Sequence, residues 1–185
     1  MRFAPLVLLL ACTSTAPRTI TCDTFSKQTS EADLVTQYGR DRVQTKTIEL
    51  GEGQTQQGAV LDGIEFVWKD PAHTQLDFAR LPNTMTTYDG IRIGTDLKTV
   101  EAINGRAFSL TGFMWDYSGT VTSWNHGLID DKTRGRCRLL LRFDPGAIAD
   151  EALRQRTLGD RDYNSASGDM QKLNPRVYEI KLLFY

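Results

Sequence analysis

The chain has 185 residues, enough for one domain with a real core, since domains run about 100–200 residues. Apolar residues make up 40% and charged residues 24%, the balance of a folded globular protein rather than a disordered one. A net charge of −1, from 22 basic and 23 acidic residues, argues against a nucleic-acid surface and against an acidic tail, and no apolar run reaches the ~18 residues of a membrane span.

The first element is the leader, "MRFAPLVLLLAC". Arg2 is a positive start, Phe3 to Leu10 are an apolar stretch interrupted by Pro5, and a small residue, Ala11, precedes Cys12. That order makes a secretory signal, shorter than the usual ~15–30 residues. The alternative is a buried strand beginning at Phe3. The run Leu9-Leu10-Ala11-Cys12 resembles a bacterial lipobox. The resemblance implies cleavage before Cys12 and a diacylglycerol, palmitate-type membrane anchor on its thiol. It also implies a place on the periplasmic face of the bacterial cell envelope. Thr13, not Asp, follows Cys12; by the same resemblance this favours the outer membrane over the inner. The polar, Pro-containing stretch after Cys12 reads as a flexible tether. The expected division is a signal peptide at 1–11, a tether at 12–21 and a globular domain at 22–185.

Three cysteines occur in the chain. With Cys12 assigned to lipid, Cys22 and Cys137 remain, an even number that reads as one disulfide in an oxidising compartment. The alternative is two unpaired thiols with Cys137 in the core.

Further along, Ser30 and Asp33 form a capping pattern ahead of Leu34, Val35 and Tyr38, and Gly39 stops this first helix. "TKTIEL" alternates as a half-buried strand, whereas "GEGQTQQG" reads as a loop. Asp62-Gly63 is a type I′ turn pair between two β-like runs, with Ile64, Phe66 and Trp68 on one face. "QLDFARL" and the short "YDGIRIG" read as strands. A second helix follows, capped by Asp96, striped by Leu97, Val100 and Ile103, and stopped by Gly105. "FSLTGFMWDYSGTVTSW" reads as strands, with Phe113, Trp115 and Tyr117 alternating and Ser118-Gly119 turning the chain. "LIDDK" reads as a polar hairpin loop and "RCRLLLRF" as a strand. A third helix is expected between Pro145 and Gly159, then a long polar loop "DRDYNSASGDMQKLNP". A closing strand "RVYEIKLLFY" would place Tyr178, Ile180, Leu182 and Phe184 on one face.

The class predicted is α+β: antiparallel sheet with short helices packed on one face. The two helix-to-Gly segments align at an offset of 66 residues, Gly39 on Gly105 and Arg40 on Arg106. This suggests two similar units of about that length, at 22–86 and 87–185. The turn around Gly94, Thr95, Val100 and Gly105, with Asp96 and Leu97, resembles the small outer-membrane-assembly lipoproteins, and its doubling resembles the β-lactamase inhibitory protein. The resemblance is one of spacing and transfers no functional residue. The chain is also similar to bacterial lipoproteins without an assigned function.

Motifs for chemistry are sparse. His73 and His126 are far apart in turn-like stretches, with no metal-ligand spacing, so no metal and no cofactor is expected. His126 near Ser123 or Asp130 has proximity without a motif. Ser118 lacks a nucleophile elbow. Cys137 sits between Arg136 and Arg138, which point away from it in a strand, so a structural role is expected. Asp130 and Asp131 are adjacent acids, either solvated or suited to acid/base work.

The remaining signal is aromatic. Trp115, Tyr117 and Trp124, with Asp116 between the first two, form either a sheet core or a binding face. The leading expectation is a lipid-anchored, non-catalytic binding domain whose partner is a protein or cell-wall material. The alternatives are an inhibitor of a secreted enzyme and an envelope hydrolase using Asp116, Asp130 or Asp131.

Overall fold

The computed structural model describes residues 18–185. The leader, Cys12 and the first part of the tether lie outside the described residues. The elements are short helices and two antiparallel sheets, an α+β fold. The larger sheet has six strands in the order β1 (Gln44–Gly51), β2 (Gln54–Leu61), β3 (Ile64–Trp68), β4 (Leu76–Arg80), β9 (Arg176–Leu183) and β7 (Arg138–Asp144). The smaller sheet pairs β6 (Val121–Ser123), β5 (Ser109–Thr111) and β8 (Asp162–Asn164). The last strand of the first half, β4, pairs with the last strand of the chain, β9, so both halves share one sheet.

Local signals account for the first helix, α1 (Glu31–Tyr38). Ser30 Oγ accepts from Asp33 N at 3.1 Å, and Asp33 Oδ2 accepts from Ser30 N at 2.9 Å. These reciprocal bonds satisfy two backbone donors at the helix entrance. In α2 (Leu97–Asn104), Asp96 caps the start and Gly105 ends the helix in the left-handed conformation at φ 74°. The β2–β3 turn has Asp62 at φ 51° and Gly63 at φ 86°, the two positive values a type I′ hairpin needs.

Several segments differ from the sequence reading. "GEGQTQQG" is not a loop: Glu52 and Gly53 make the turn, and Gln54–Gly58 continue as β2 against β1. Its glutamines are tolerated because this half of the hairpin is mostly exposed. "YDGIRIG" holds a 3-10 turn at Tyr88–Gly90 instead of a strand. "LIDDK" is α3 (Leu128–Thr133). The expected third helix is confined to α4 (Glu151–Arg156). The long polar loop contains β8 and α5 (Gly168–Leu173), held by a Ser167 cap and one buried residue, Met170. Tyr178 leaves the face of Ile180, Leu182 and Phe184, because β9 carries an extra residue where Arg142 pairs with Glu179 but Phe143 pairs with Val177.

One face of the large sheet carries the main core. Phe66, Trp68, Ala79, Leu139, Leu141, Ile180 and Leu182 pack there with Leu34 of α1, Leu97 and Val100 of α2, Ile129 of α3 and Met170 of α5. The other face holds a second small cluster of Ile48, Val67 and Phe78, flanked by Leu50, Val60 and Leu183. The sheet curls around that cluster. Arg80 of β4 donates to the Glu49 carbonyl of β1 at 2.8 Å, although two strands separate them in the sheet order. Cys22 and Cys137 form a disulfide with Cα atoms 5.5 Å apart, fastening the N-terminal segment, in which Ile20 is already in the core, to the entrance of β7.

Candidate functional site

The expected aromatic hairpin is instead a clamped excursion. Residues 112–120 leave β5 and return to β6 through turns, so strand alternation does not operate there. Gly119 N donates to the Gly112 carbonyl at 2.9 Å, closing the base of the excursion. Phe143 N of β7 donates to the Gly119 carbonyl at 2.9 Å. A Cβ on Gly119 would lie 1.9 Å from the Phe143 carbonyl oxygen, and φ is +66°, so only glycine fits this contact. Phe113 is buried, and its N–H donates to the Thr157 carbonyl at 2.9 Å. The tip is therefore presented by a rigid base.

The four aromatic-site residues separate. Trp124 is 3% exposed; its Nε1 donates to the Leu139 carbonyl at 3.1 Å and its ring lies 5.3 Å from Phe108. It belongs to the core. Trp115 is half-buried, with Nε1 donating to the Gly112 carbonyl at 3.1 Å and its ring meeting Tyr117 edge-on at 5.5 Å. Asp116 is exposed, Tyr117 is 54% exposed and the adjoining Met114 68%. The Glu52 carboxylate, hydrogen-bonded to Tyr117, holds the phenol above its usual pKa. The tip of the β1–β2 hairpin thus lies beside the excursion. Between them is a cavity of about 200 Å³ walled by Glu52, Asp116, Tyr117 and Arg142.

Arg142, Leu50 and Gly51 also border a second cavity of about 310 Å³ on the curled face. Its polar wall is Arg80, Arg142, Glu179 and Lys181; its apolar wall includes Leu81, Ile93 and Tyr178. Glu179 is the centre of the charges. Its Oε1 lies 3.1 Å from both Arg80 Nε and Lys181 Nζ, and its Oε2 lies 3.7 Å from Arg142 Nη1. Arg80 also pairs with Glu65 at 2.5 Å, and Arg142 donates to the Asp116 carbonyl. The Arg80 and Lys181 cations sit 5.6 and 5.1 Å from the Phe78 ring, and Arg142 sits 5.2 Å from Tyr178. Burial pushes the Lys181 ammonium below its usual pKa, against an opposing pull from Glu179. Arg142 Nε and Glu179 Oε2 are buried without a hydrogen bond.

None of Arg80, Arg142, Glu179 and Lys181 stands in a motif. The available signal is alternation: Arg142 between Leu141 and Phe143, and Glu179 and Lys181 around Ile180, face away from the core. Their convergence depends on the strand order β4-β9-β7 and was not legible.

The other candidates do not converge. Asp130 and Asp131 are consecutive on α3 and point in different directions; Asp130 accepts from His126 N at 2.8 Å and Asp131 pairs with Arg134 at 2.9 Å. His126 is exposed. Ser118 is a turn residue whose N–H donates to the Trp115 carbonyl at 3.1 Å. Cys137 is in the disulfide. His73 is more than a turn residue: its ring stacks on Trp68 at 4.6 Å and its Nδ1 lies 2.6 Å from Glu31 Oε2. Burial raises the Glu31 carboxyl, but hydrogen bonding and charge from His73, with Arg40 and Thr45, hold it below its ordinary range. This pair fastens α1 to the β3–β4 connection.

Among the described residues, no group of three His, Cys, Asp or Glu side chains could hold a metal ion, and no helix is long and apolar enough to cross a membrane. A larger cavity, about 650 Å³, runs beside the disulfide along residues 22–29 and Arg136. Its Arg136 is paired with Asp23 at 2.7 Å, and Lys27 also lines it. Comparison of the chain with protein-family models, with curated proteins and with solved structures found no match to any of them.

Proposed function

We propose that this chain is a lipid-anchored protein of the bacterial cell envelope whose globular domain is a non-catalytic binding module. The binding site is the rim Trp115–Asp116–Tyr117 together with the two cavities behind it. The observation that carries the reading is the rim itself. An exposed tyrosine and methionine are held out on a turn whose base is fixed by Phe113, Gly119 and hydrogen bonds to β7. An aromatic anchor on a rigid support loses little freedom on binding. The leader and the Cys12 context support the envelope address, and the Cys22–Cys137 disulfide suits an oxidising compartment.

The test has two parts. Mass spectrometry of the mature protein from membranes should find an acylated Cys12 at the N-terminus; an intact, unmodified Met1 or Cys12 would overturn the anchor. A photo-crosslinking residue at Tyr117 should capture a defined species in the intact envelope, while the same group at exposed Ala32 of α1 should not. Equal labelling at both positions, or none at Tyr117, would overturn the rim as the binding site.

A further inference from the structure

The two cavities differ in charge. The inner one has three cations on its wall, of which Arg80 is held by Glu65 and Glu179, while Arg142 and Lys181 share Glu179, with the exposed Glu49 at the edge. The outer one has the carboxylates of Glu52 and Asp116, with Arg142 at the border. A cavity of about 310 Å³ with the Arg142 and Lys181 donors on its wall adjoins an acid-rich one of about 200 Å³, and Leu50, Gly51 and Arg142 are common to both. The inner wall is also unsaturated. Arg142 Nε and Glu179 Oε2 both lack a hydrogen bond, and Lys181, which pairs with Glu179, has three N–H donors to offer. A carboxylate placed there would gain charge-assisted hydrogen bonds in a partly desolvated site. An ammonium group would meet the Glu52 and Asp116 carboxylates of the outer one.

We infer that the paired cavities bind a short unblocked peptide, with its terminal carboxylate against Arg142 and Lys181 and its terminal ammonium against Glu52 and Asp116. The donors of the inner wall and the carboxylates of the outer wall complement the two ends of a zwitterion, and Leu81, Ile93 and Tyr178 offer its apolar parts a wall. The inference rests on reading this face as the binding site and adds the class of ligand. It also assigns Arg142 as the residue that separates the two charged ends.

The experiment is calorimetric titration of the mature protein in detergent micelles with the dipeptide Ala-Ala, its N-acetyl form and its C-terminal amide. The unblocked dipeptide should bind, and each blocked form should bind roughly ten-fold more weakly. Arg142→Gln should reduce binding of the unblocked dipeptide by a similar factor. Because Arg142 also pairs with Glu179, the exposed pair Glu52→Gln and Asp116→Asn is the second test: it should weaken Ala-Ala and leave the N-acetyl form unchanged. Equal binding of blocked and unblocked forms would overturn the inference. So would no heat up to about 10 mM while Tyr117 still crosslinks in the envelope, and the binding-module reading would then stand. Failure of both measurements would remove both.

Discussion

Trp124 and Tyr117 come from one aromatic segment and have opposite surroundings. Trp124 fills the space between Phe108 and β7 and satisfies its indole N–H on the Leu139 carbonyl. Removing it leaves a cavity and an orphaned carbonyl, so Trp124→Ala should cost about 3–5 kcal/mol in urea-induced unfolding. Tyr117 touches mainly Trp115 and Glu52, and Tyr117→Ala should change stability by no more than about 0.5 kcal/mol. The reverse ranking would show that the excursion, not Trp124, is the core element. Strand parity ties Tyr117 to Trp115 and leaves the facing of Trp124, beyond the Ser118-Gly119 turn, open. Parity fails here for a local reason: Met114 at φ 65° and Gly119 at φ 66° turn the chain out of the pleat. Tyr178 was misplaced by the same kind of event, a single extra residue in β9.

At the scale of elements, legibility followed how local the signal was. The α1 cap, the α2 cap with its Gly105 stop, and the Asp62-Gly63 hairpin each depend on residues within four positions of one another. All three were legible. The polar half of β2 and the short α5 were not, because Gln54–Gly58 gain their conformation from pairing with β1 and α5 buries only Met170. Short helices lean on their ends. Helix α1 has eight residues and one fully buried side chain, Leu34, with Val35 and Tyr38 partly packed, and its capping box adds to the stability of so short a helix. Ser30→Ala removes both capping bonds made by the hydroxyl and should lower unfolding stability by about 1 kcal/mol. Thermal unfolding followed by circular dichroism measures it, and an unchanged midpoint would show that the Glu31–His73 pair alone fixes the helix start.

At the scale of the molecule, the long-range ties dominate. The disulfide spans a sequence separation of 115 residues, and β4 pairs with β9 across the two halves. In the chain-entropy account such a loop is worth about 4–5 kcal/mol, so the double variant Cys22→Ser, Cys137→Ser should lose about that much in denaturant unfolding. Adding reductant to the wild-type protein should bring its midpoint to that of the variant; a wild-type midpoint indifferent to reductant would sink the prediction. The sequence by itself determined the α+β class, the caps and the tight hairpin, because each is written in propensity, period or turn chemistry over a few neighbours. It also singled out Cys22 and Cys137 as the even pair. Only the tertiary structure decided that Arg80, Arg142, Glu179 and Lys181 meet on one curled face beside Glu52, Asp116 and Tyr117. Strand order, the bulge in β9 and the curl that carries β1 back over β4 arise from contacts between segments up to about a hundred residues apart, and no local pattern encodes such contacts.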